Sequence, residues 1–97
     1  MPKLEREDLM IVLQLNLHRK FFRAILEGTK KIEYRERTDY WESRLTKKKY
    51  THIRFRNGYQ TIAPEMIVEL KRIKEADDEY QLHLGQIVSK KHVRMLK

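Results

Sequence analysis

Charged side chains in one short segment are spaced in a way that suits binding or catalysis. The run 28–35, with sequence GTKKIEYR, follows a predicted helix and opens a predicted strand. Glu33 and Arg35 lie two residues apart, so a regular strand would place both on the same face. A carboxylate beside a guanidinium group can bind a polar ligand or take part in proton transfer. We therefore expect this segment to line a charged cleft.

Later segments carry residues of the same type. Arg54 and Arg56 are also two residues apart, and Glu69 interrupts an apolar alternation further along the chain. Facing the first segment, they would complete an ionic network whose planar guanidinium groups suit phosphate. The structural alternative is that Glu33 pairs with Arg35, and Arg54 with Glu69 across strands, as structural salt bridges worth up to about 1 kcal/mol each.

Two lysines compete for the place beside Glu33. Lys30 lies three residues before Glu33, so a regular strand would point the two side chains to opposite faces. Lys30 reaches the cleft only from a loop before the strand, which Gly28 permits, whereas Lys31 is in phase with Glu33. Both lysines are therefore candidates.

Tyr59 is the strongest candidate for stacking against a base. It follows the turn signal Asn57-Gly58 and is close to Arg56 in the sequence. Exposed aromatic side chains stack on the bases of single-stranded RNA. The alternative is that Tyr59 covers the end of the barrel.

The sequence predicts no metal site and no cofactor. It contains no cysteine, which excludes a disulfide framework and thiolate metal ligands. Glu33 and Glu69 would share a magnesium ion only if they converged. The histidines are dispersed, without the spacing of a metal site: His18, His52, His83 and His92.

The apolar pattern predicts the elements that must position these residues, in the order β-α-β-α-β-β-β. A continuous apolar run at 9–15 predicts a strand buried on both faces. Asn16 is the expected N-cap of an amphipathic helix at 17–27, which Gly28 ends, and Thr38 is the expected N-cap of a second helix. The other predicted elements are a strand at 30–37, a helix at 39–47, strands at 50–56, 65–75 and 80–88, and a basic tail that adds a short strand or lies over the barrel end.

The same pattern predicts the core. Trp41 and Leu45 should anchor the second helix, and Phe21, Phe22 and Ile25 should pack the first helix onto the sheet. The strands should contribute apolar side chains by alternation. They are Ile32, Tyr34, Ile53, Phe55, Met66, Val68, Leu70, Leu82 and Leu84.

Length and charge set the broad class. We expect one domain over residues 1–97, with a charged and flexible segment at 1–8. The 22 Lys and Arg residues against 14 Asp and Glu residues give a formal charge of +8, which attracts polyanions such as nucleic acid. The alternative is a basic surface that serves solubility. No apolar run has the length of a membrane span and no signal-peptide core is evident, so we expect a cytoplasmic protein without a membrane partner.

The run Gly-x-Lys-x-x-Glu-x-Arg, placed between a helix and a strand, resembles the signature of the ASCH family in the PUA-like superfamily. The segment 55–59, FRNGY, also resembles part of the small phage and bacterial subgroup of that family. The resemblance implies an α+β fold, a small mixed β-barrel with one or two flanking helices. It also implies a charged cleft between sheet and helix that binds RNA or a nucleoside. By motif position the family's lysine, glutamate and arginine fall on Lys30, Glu33 and Arg35.

The resemblance also raises the alternative of an enzyme. One branch of the family hydrolyses the acetyl amide of N4-acetylcytidine with a lysine, a threonine and a glutamate, and another is described as ribonucleases. Lys30 and Glu69 match the lysine and the glutamate, but Glu33 stands where those hydrolases carry threonine. The catalytic candidates are therefore Lys30, Glu33 and Glu69, in a chain without the hydroxyl nucleophile.

The sequence thus predicts an RNA- or nucleotide-binding module, with hydrolysis of a nucleoside or RNA as the alternative. A third possibility is a basic adaptor for an acidic protein, and the sequence predicts no particular oligomeric state. The candidate binding residues are Lys30, Lys31, Glu33, Arg35, Arg54, Arg56, Tyr59 and Glu69.

Overall fold

Five strands and two helices follow one another in the predicted order. A computed structural model describes residues 10–96, so the predicted flexible segment 1–8 and the first residue of the predicted strand at 9–15 lie outside the described residues. The coarse prediction of an α+β, barrel-like fold is confirmed. The elements are β1 (Val12–Asn16), α1 (Arg19–Leu26), β2 (Ile32–Glu36), α2 (Asp39–Thr46), β3 (His52–Arg56), β4 (Glu65–Glu75), β5 (Glu79–Lys91) and a 3-10 turn at Val93–Met95.

The strands form one curled half-barrel sheet in the order β1-β3-β4-β5-β2. β1 runs parallel to β3, and every other neighbouring pair is antiparallel. β5 pairs with β2 through residues 79–83 and with β4 through residues 80–91. The first two strands of the chain therefore lie at the two opposite edges of the sheet.

The core is built from four of the five strands and both helices. Six of the apolar strand residues expected in the core are fully buried: Ile53, Phe55, Met66, Val68, Leu82 and Leu84. Phe22 and Ile25 of α1 and Leu45 of α2 pack with them, and Trp41 lies partly buried against this cluster as expected. β2 contributes no buried apolar side chain, because its one buried residue is Glu33.

Several expectations about burial were wrong. Phe21 and Tyr34 are 44% and 47% exposed, and Ile32 is only partly buried and lies outside the core cluster, whereas Leu70 is partly buried but packs against the core as expected. β1 is not buried on both faces, because Leu13 and Leu15 point into the core whereas Gln14 is exposed on the other side of this edge strand.

Capping residues determine where the two helices begin and end. Gly28, at φ +85°, ends α1 as predicted, and the Thr38 hydroxyl accepts a hydrogen bond from the Trp41 backbone N–H at 3.2 Å as the N-cap of α2. Asn16 does not cap α1. The cap position is His18, and the Asn16 amide group instead donates to the Gly58 carbonyl at 2.8 Å, which ties the end of β1 to the loop after β3. Within residues 10–96, no helix has the length and apolar character that crossing a membrane requires.

The neighbouring residues Phe21 and Phe22 give a matched test of this core. We expect Phe22→Ala to lower the free energy of unfolding by about 3–5 kcal/mol, because the Phe22 ring is 0% exposed. Phe21→Ala should cost about 1 kcal/mol or less, because its ring is exposed. Urea denaturation followed by circular dichroism measures both values. Equal losses would contradict the assignment of Phe21 to the surface.

Candidate functional site

Glu33 is the buried centre of a three-residue ionic cluster. Its side chain is on the core side of β2, in register with the buried Leu82 of β5, and the residue is 6% exposed. One carboxylate oxygen lies 2.9 Å from Arg35 Nη2 and the other lies 3.4 Å from Lys30 Nζ. Glu33 and Arg35 share a face as predicted, and the charged residues rather than Ile32 and Tyr34 take the inner face of β2. Burying this carboxylate is tolerated because two cations compensate it.

Lys30, and not Lys31, is the lysine that joins this cluster. It lies in the segment before β2, where a regular strand does not constrain its direction. Its ammonium group is 5.3 Å from the ring centroid of Phe21 and 5.1 Å from that of Tyr34, within the range of a cation–π interaction. This placement explains why both rings stay near the surface although they are large and apolar.

Arg35 connects three elements. Besides Glu33 of its own strand, it donates through Nη2 to the Asn16 carbonyl of β1 at 3.3 Å. Its guanidinium carbon lies 4.9 Å from the centroid of the Trp41 ring on α2. The Arg35 side chain therefore spans the space between the two edge strands and is held under α2.

A cleft of about 400 Å³ opens beside Arg35, between the end of β1 and α2. Among residues 10–96, three arginines and three aromatic residues line it, and no carboxylate does. We refer to it as the arginine–aromatic cleft, defined by Arg35, Arg44, Arg56, Tyr40, Trp41 and Tyr59. Tyr59 is 88% exposed and Tyr40 is 63% exposed, so their rings are open to a ligand.

The other two arginines of the cleft are held by backbone carbonyl groups. Arg44 Nη2 donates to the Gln14 carbonyl at 2.6 Å. Arg56 Nη2 donates to the carbonyls of Gln60 and Thr61 at 2.8 and 3.2 Å. A guanidinium group carries five N–H donors, so each arginine keeps donors for a ligand while its position is fixed.

Sequence reasoning missed two contributors. Arg44 was not a candidate, although its spacing from Tyr40 and Trp41 on one helical face was a usable signal. Glu65 was also missed: its carboxylate contacts Arg56 Nε at 3.2 Å and Arg54 Nε at 3.9 Å. Arg54 and Arg56 therefore share a face, as predicted.

The cross-strand pair that was considered for Arg54 and Glu69 does not form. Arg54 is in register with Ile67, and Glu69 is in register with His52. Arg54 also lines none of the described cavities.

Glu69 lies apart from Glu33. The pairing of β4 with β5 shifts around Glu69, where Gly85 and Gln86 both lie opposite it. The Glu69 carboxylate accepts a hydrogen bond from the Gln86 backbone N–H at 2.9 Å, which satisfies a donor that the shifted ladder leaves unpaired. Glu69 lines a second cavity that Lys30 and Lys31 also line. Across residues 10–96, no group of three or more histidines and carboxylates could hold a metal ion.

The role of Glu33 as the centre of its cluster can be tested against its neighbour Glu36. We expect Glu33→Gln to lower the free energy of unfolding by about 1–3 kcal/mol, because Lys30 and Arg35 lose their charged partner. Glu36→Gln, on the same strand but exposed, should change it by less than about 0.5 kcal/mol. Urea denaturation at neutral pH measures both, and similar values for the two variants would refute the role.

The chain was compared with family models, curated proteins and solved structures. No family model, no curated protein and no solved structure matches the chain. The function of the chain is therefore inferred from the cleft and its residues.

Proposed function

We propose that this protein is an RNA- or nucleotide-binding module of the PUA-like type, with its ligand in the arginine–aromatic cleft. The observation that carries the proposal is the composition of the cleft: its lining from the described part of the chain has three arginines and three aromatic residues and no carboxylate. Guanidinium groups bind phosphate oxygens, and aromatic rings stack on bases. A nucleotide presents both chemical groups within one ligand.

The charges around the cleft support an anionic ligand. The whole chain carries a formal charge of +8. Two carboxylates of the described chain form ion pairs with these arginines: Glu33 is buried against Arg35 and Lys30, and Glu65 contacts Arg56 from outside the cleft lining. The lining therefore attracts phosphate without an opposing charge of its own.

The exposed aromatic rings support a single-stranded ligand. Tyr59 and Tyr40 lie at the cleft with most of their surface in solvent, so both rings are accessible to a stacking base. Bases that are already unpaired reach such rings without the cost of opening a duplex. We expect short single-stranded RNA to bind more tightly than a duplex of the same length.

Stacking on Tyr59 can be tested without disturbing the fold. We expect Tyr59→Ala to weaken binding of a short oligouridine by about 5- to 150-fold, the equivalent of about 1–3 kcal/mol for one stacked base. Tyr59→Phe keeps the ring and should bind nearly as the wild type does. Ile62→Ala changes an exposed residue of the same loop outside the cleft and serves as the control. Fluorescence anisotropy measures the affinities, and wild-type protein that fails to bind RNA even at low salt would refute the proposed function.

The arginine contacts can be tested through salt dependence. We expect Arg56→Ala to weaken RNA binding and to reduce the slope of log affinity against log salt by about one, because one phosphate contact is lost. Arg54→Ala is the matched control, since Arg54 lies on the same strand and also contacts Glu65 but does not line the cleft. Equal changes in affinity and in slope for the two variants would show that the phosphate does not bind specifically in the cleft.

We expect no hydrolysis of N4-acetylcytidine. Glu33 occupies the position of the hydroxyl nucleophile in the related hydrolases, and its carboxylate holds Lys30 as an ion-paired cation, which is a poor base. Incubation of the wild type with N4-acetylcytidine, followed by chromatography for cytidine, measures this directly. Efficient release that is abolished by Lys30→Ala would establish the enzyme and overturn the assignment as a binding module.

A further inference from the structure

A cavity larger than the arginine–aromatic cleft lies on a different part of the molecule. It has a volume of about 930 Å³ and lies between the α1–β2 loop and the β4–β5 hairpin. It shares no lining residue with the cleft. We refer to it as the basic groove, defined by Lys30, Lys31, Lys71, Arg72, His83 and Glu69.

Most of the positive charge in the groove is not neutralised. Among residues 10–96, no carboxylate lies within ion-pair distance of Lys31, Lys71 or Arg72, and Lys30 alone is paired, with Glu33. These cations come from two separate parts of the chain, the loop after α1 and the outer half of β4. They line one groove although like charges repel, and an anion bound in the groove would stabilise this arrangement.

Glu69, the one carboxylate that residues 10–96 contribute to the groove, forms a structural hydrogen bond. Glu69 accepts a hydrogen bond from the Gln86 backbone N–H at 2.9 Å at the shift in strand pairing. A Cβ atom added at Gly85 would lie 2.6 Å from the Glu69 Oε1 atom, so the carboxylate rests directly on the backbone of β5. Glu69 is thus held against the strand and does not reach across to the lysines within ion-pair distance.

His83 reports the same positive field. Partial burial lowers the pKa of His83, and the nearby Arg72, Lys74 and Lys71 on β4 lower it further. On its own strand the ring contacts the neutral Gln81 side chain at 3.4 Å, and on β2 it is in register with Ile32. No carboxylate within residues 10–96 forms an ion pair with it. Burial is the larger cause of the lowered pKa of His83, but the part that comes from Arg72, Lys74 and Lys71 reflects a positive field that also favours an anion in the groove.

We propose that the basic groove is a second anion site, which holds one phosphate group between the α1–β2 loop and the β4–β5 hairpin. Lys31, Lys71 and Arg72 supply the charge, and their exposed ammonium and guanidinium groups act as donors to its oxygens. The phosphate group is either part of an RNA strand that continues from the arginine–aromatic cleft or a free phosphate ion or ester. Only the first source rests on the proposed function.

The histidine rings provide the primary test, by NMR titration at constant ionic strength. Two probes are used in separate titrations, inorganic phosphate and dimethyl phosphate, which carries a single charge like the RNA backbone. We expect saturating phosphate to raise the pKa of His83, because a bound anion stabilises the protonated ring. His92, which is exposed and outside the groove, should not respond. A pKa of His83 that is the same in phosphate and in chloride would overturn the proposal.

A charge-removing variant locates the site. Lys71→Gln/Arg72→Gln changes two exposed residues, so the fold should persist. It should raise the pKa of His83 without any ligand and weaken phosphate binding about tenfold, as expected for two exposed charge contacts. Lys47→Gln/Lys48→Gln removes the same charge at exposed positions outside all three cavities. Equal weakening in both double variants would show a general effect of net charge and would refute the site.

RNA length distinguishes the two sources of phosphate. If one strand spans both sites, Lys71→Gln/Arg72→Gln should weaken binding of an oligouridine of about 12 nucleotides but not one of about 4. If the groove takes a free ion or ester, both oligonucleotides should bind the variant as they bind the wild type, while phosphate still loses its effect on His83. A wild-type protein that binds phosphate in the groove but no RNA would support the anion site and refute the proposed function.

Discussion

The guanidinium group of Arg35 compensates for a sheet that does not close. β1 and β2 lie at the two edges, and no strand pairing joins them. Arg35 reaches from β2 to the carbonyl group of Asn16 on β1, and Arg44 of α2 donates to the carbonyl of Gln14 on the same strand. Both carbonyls belong to the edge strand, where unpaired backbone groups otherwise require water or another chain. The half-barrel is therefore held together by side chains at its open side, and the buried Glu33 keeps Arg35 in place.

The same arginines determine where the candidate site forms. Because Arg35 and Arg44 must face the edge of β1, α2 lies over the gap and brings Tyr40 and Trp41 to it. The loop after β3 completes the cleft, since Arg56 holds the Gln60 and Thr61 carbonyls and Tyr59 extends from that loop into solvent. Closure of the fold and recruitment of an anionic, aromatic ligand thus depend on one group of residues. Substitutions of Arg35 or Arg44 should therefore change stability together with binding, whereas the exposed Tyr59 can be changed with little effect on the fold.

The fold was predictable from the sequence where one physical rule acts alone. The alternation in β3 and β4 identified the buried residues, and Thr38 was correctly identified as a cap. Prediction failed where a long-range contact overrides a local rule. Asn16 forms a hydrogen bond with Gly58 and does not cap α1. In β2 the side chain of Glu33 points into the core, and the alternation of residues along the strand cannot predict which of its two faces is buried. Of the site, Glu33, Arg35 and Lys30 were correctly grouped. Arg44 lines the cleft because of where α2 lies over the sheet, which the sequence does not indicate. The separation of Glu69 from Glu33 depends on the shifted pairing of β4 with β5.

The close approach of Glu69 to Gly85 has an evolutionary consequence. Any side chain at position 85 would collide with the Glu69 carboxylate and displace it from the Gln86 N–H group. A longer residue at 85 thus requires the Glu69 side chain to move away or to be replaced by a shorter one, and the backbone N–H group must then find another acceptor. Related chains that keep this shift in strand pairing should therefore inherit the two positions as a pair. Chains that lose the shift would move every later residue of β5 to the opposite face of the sheet.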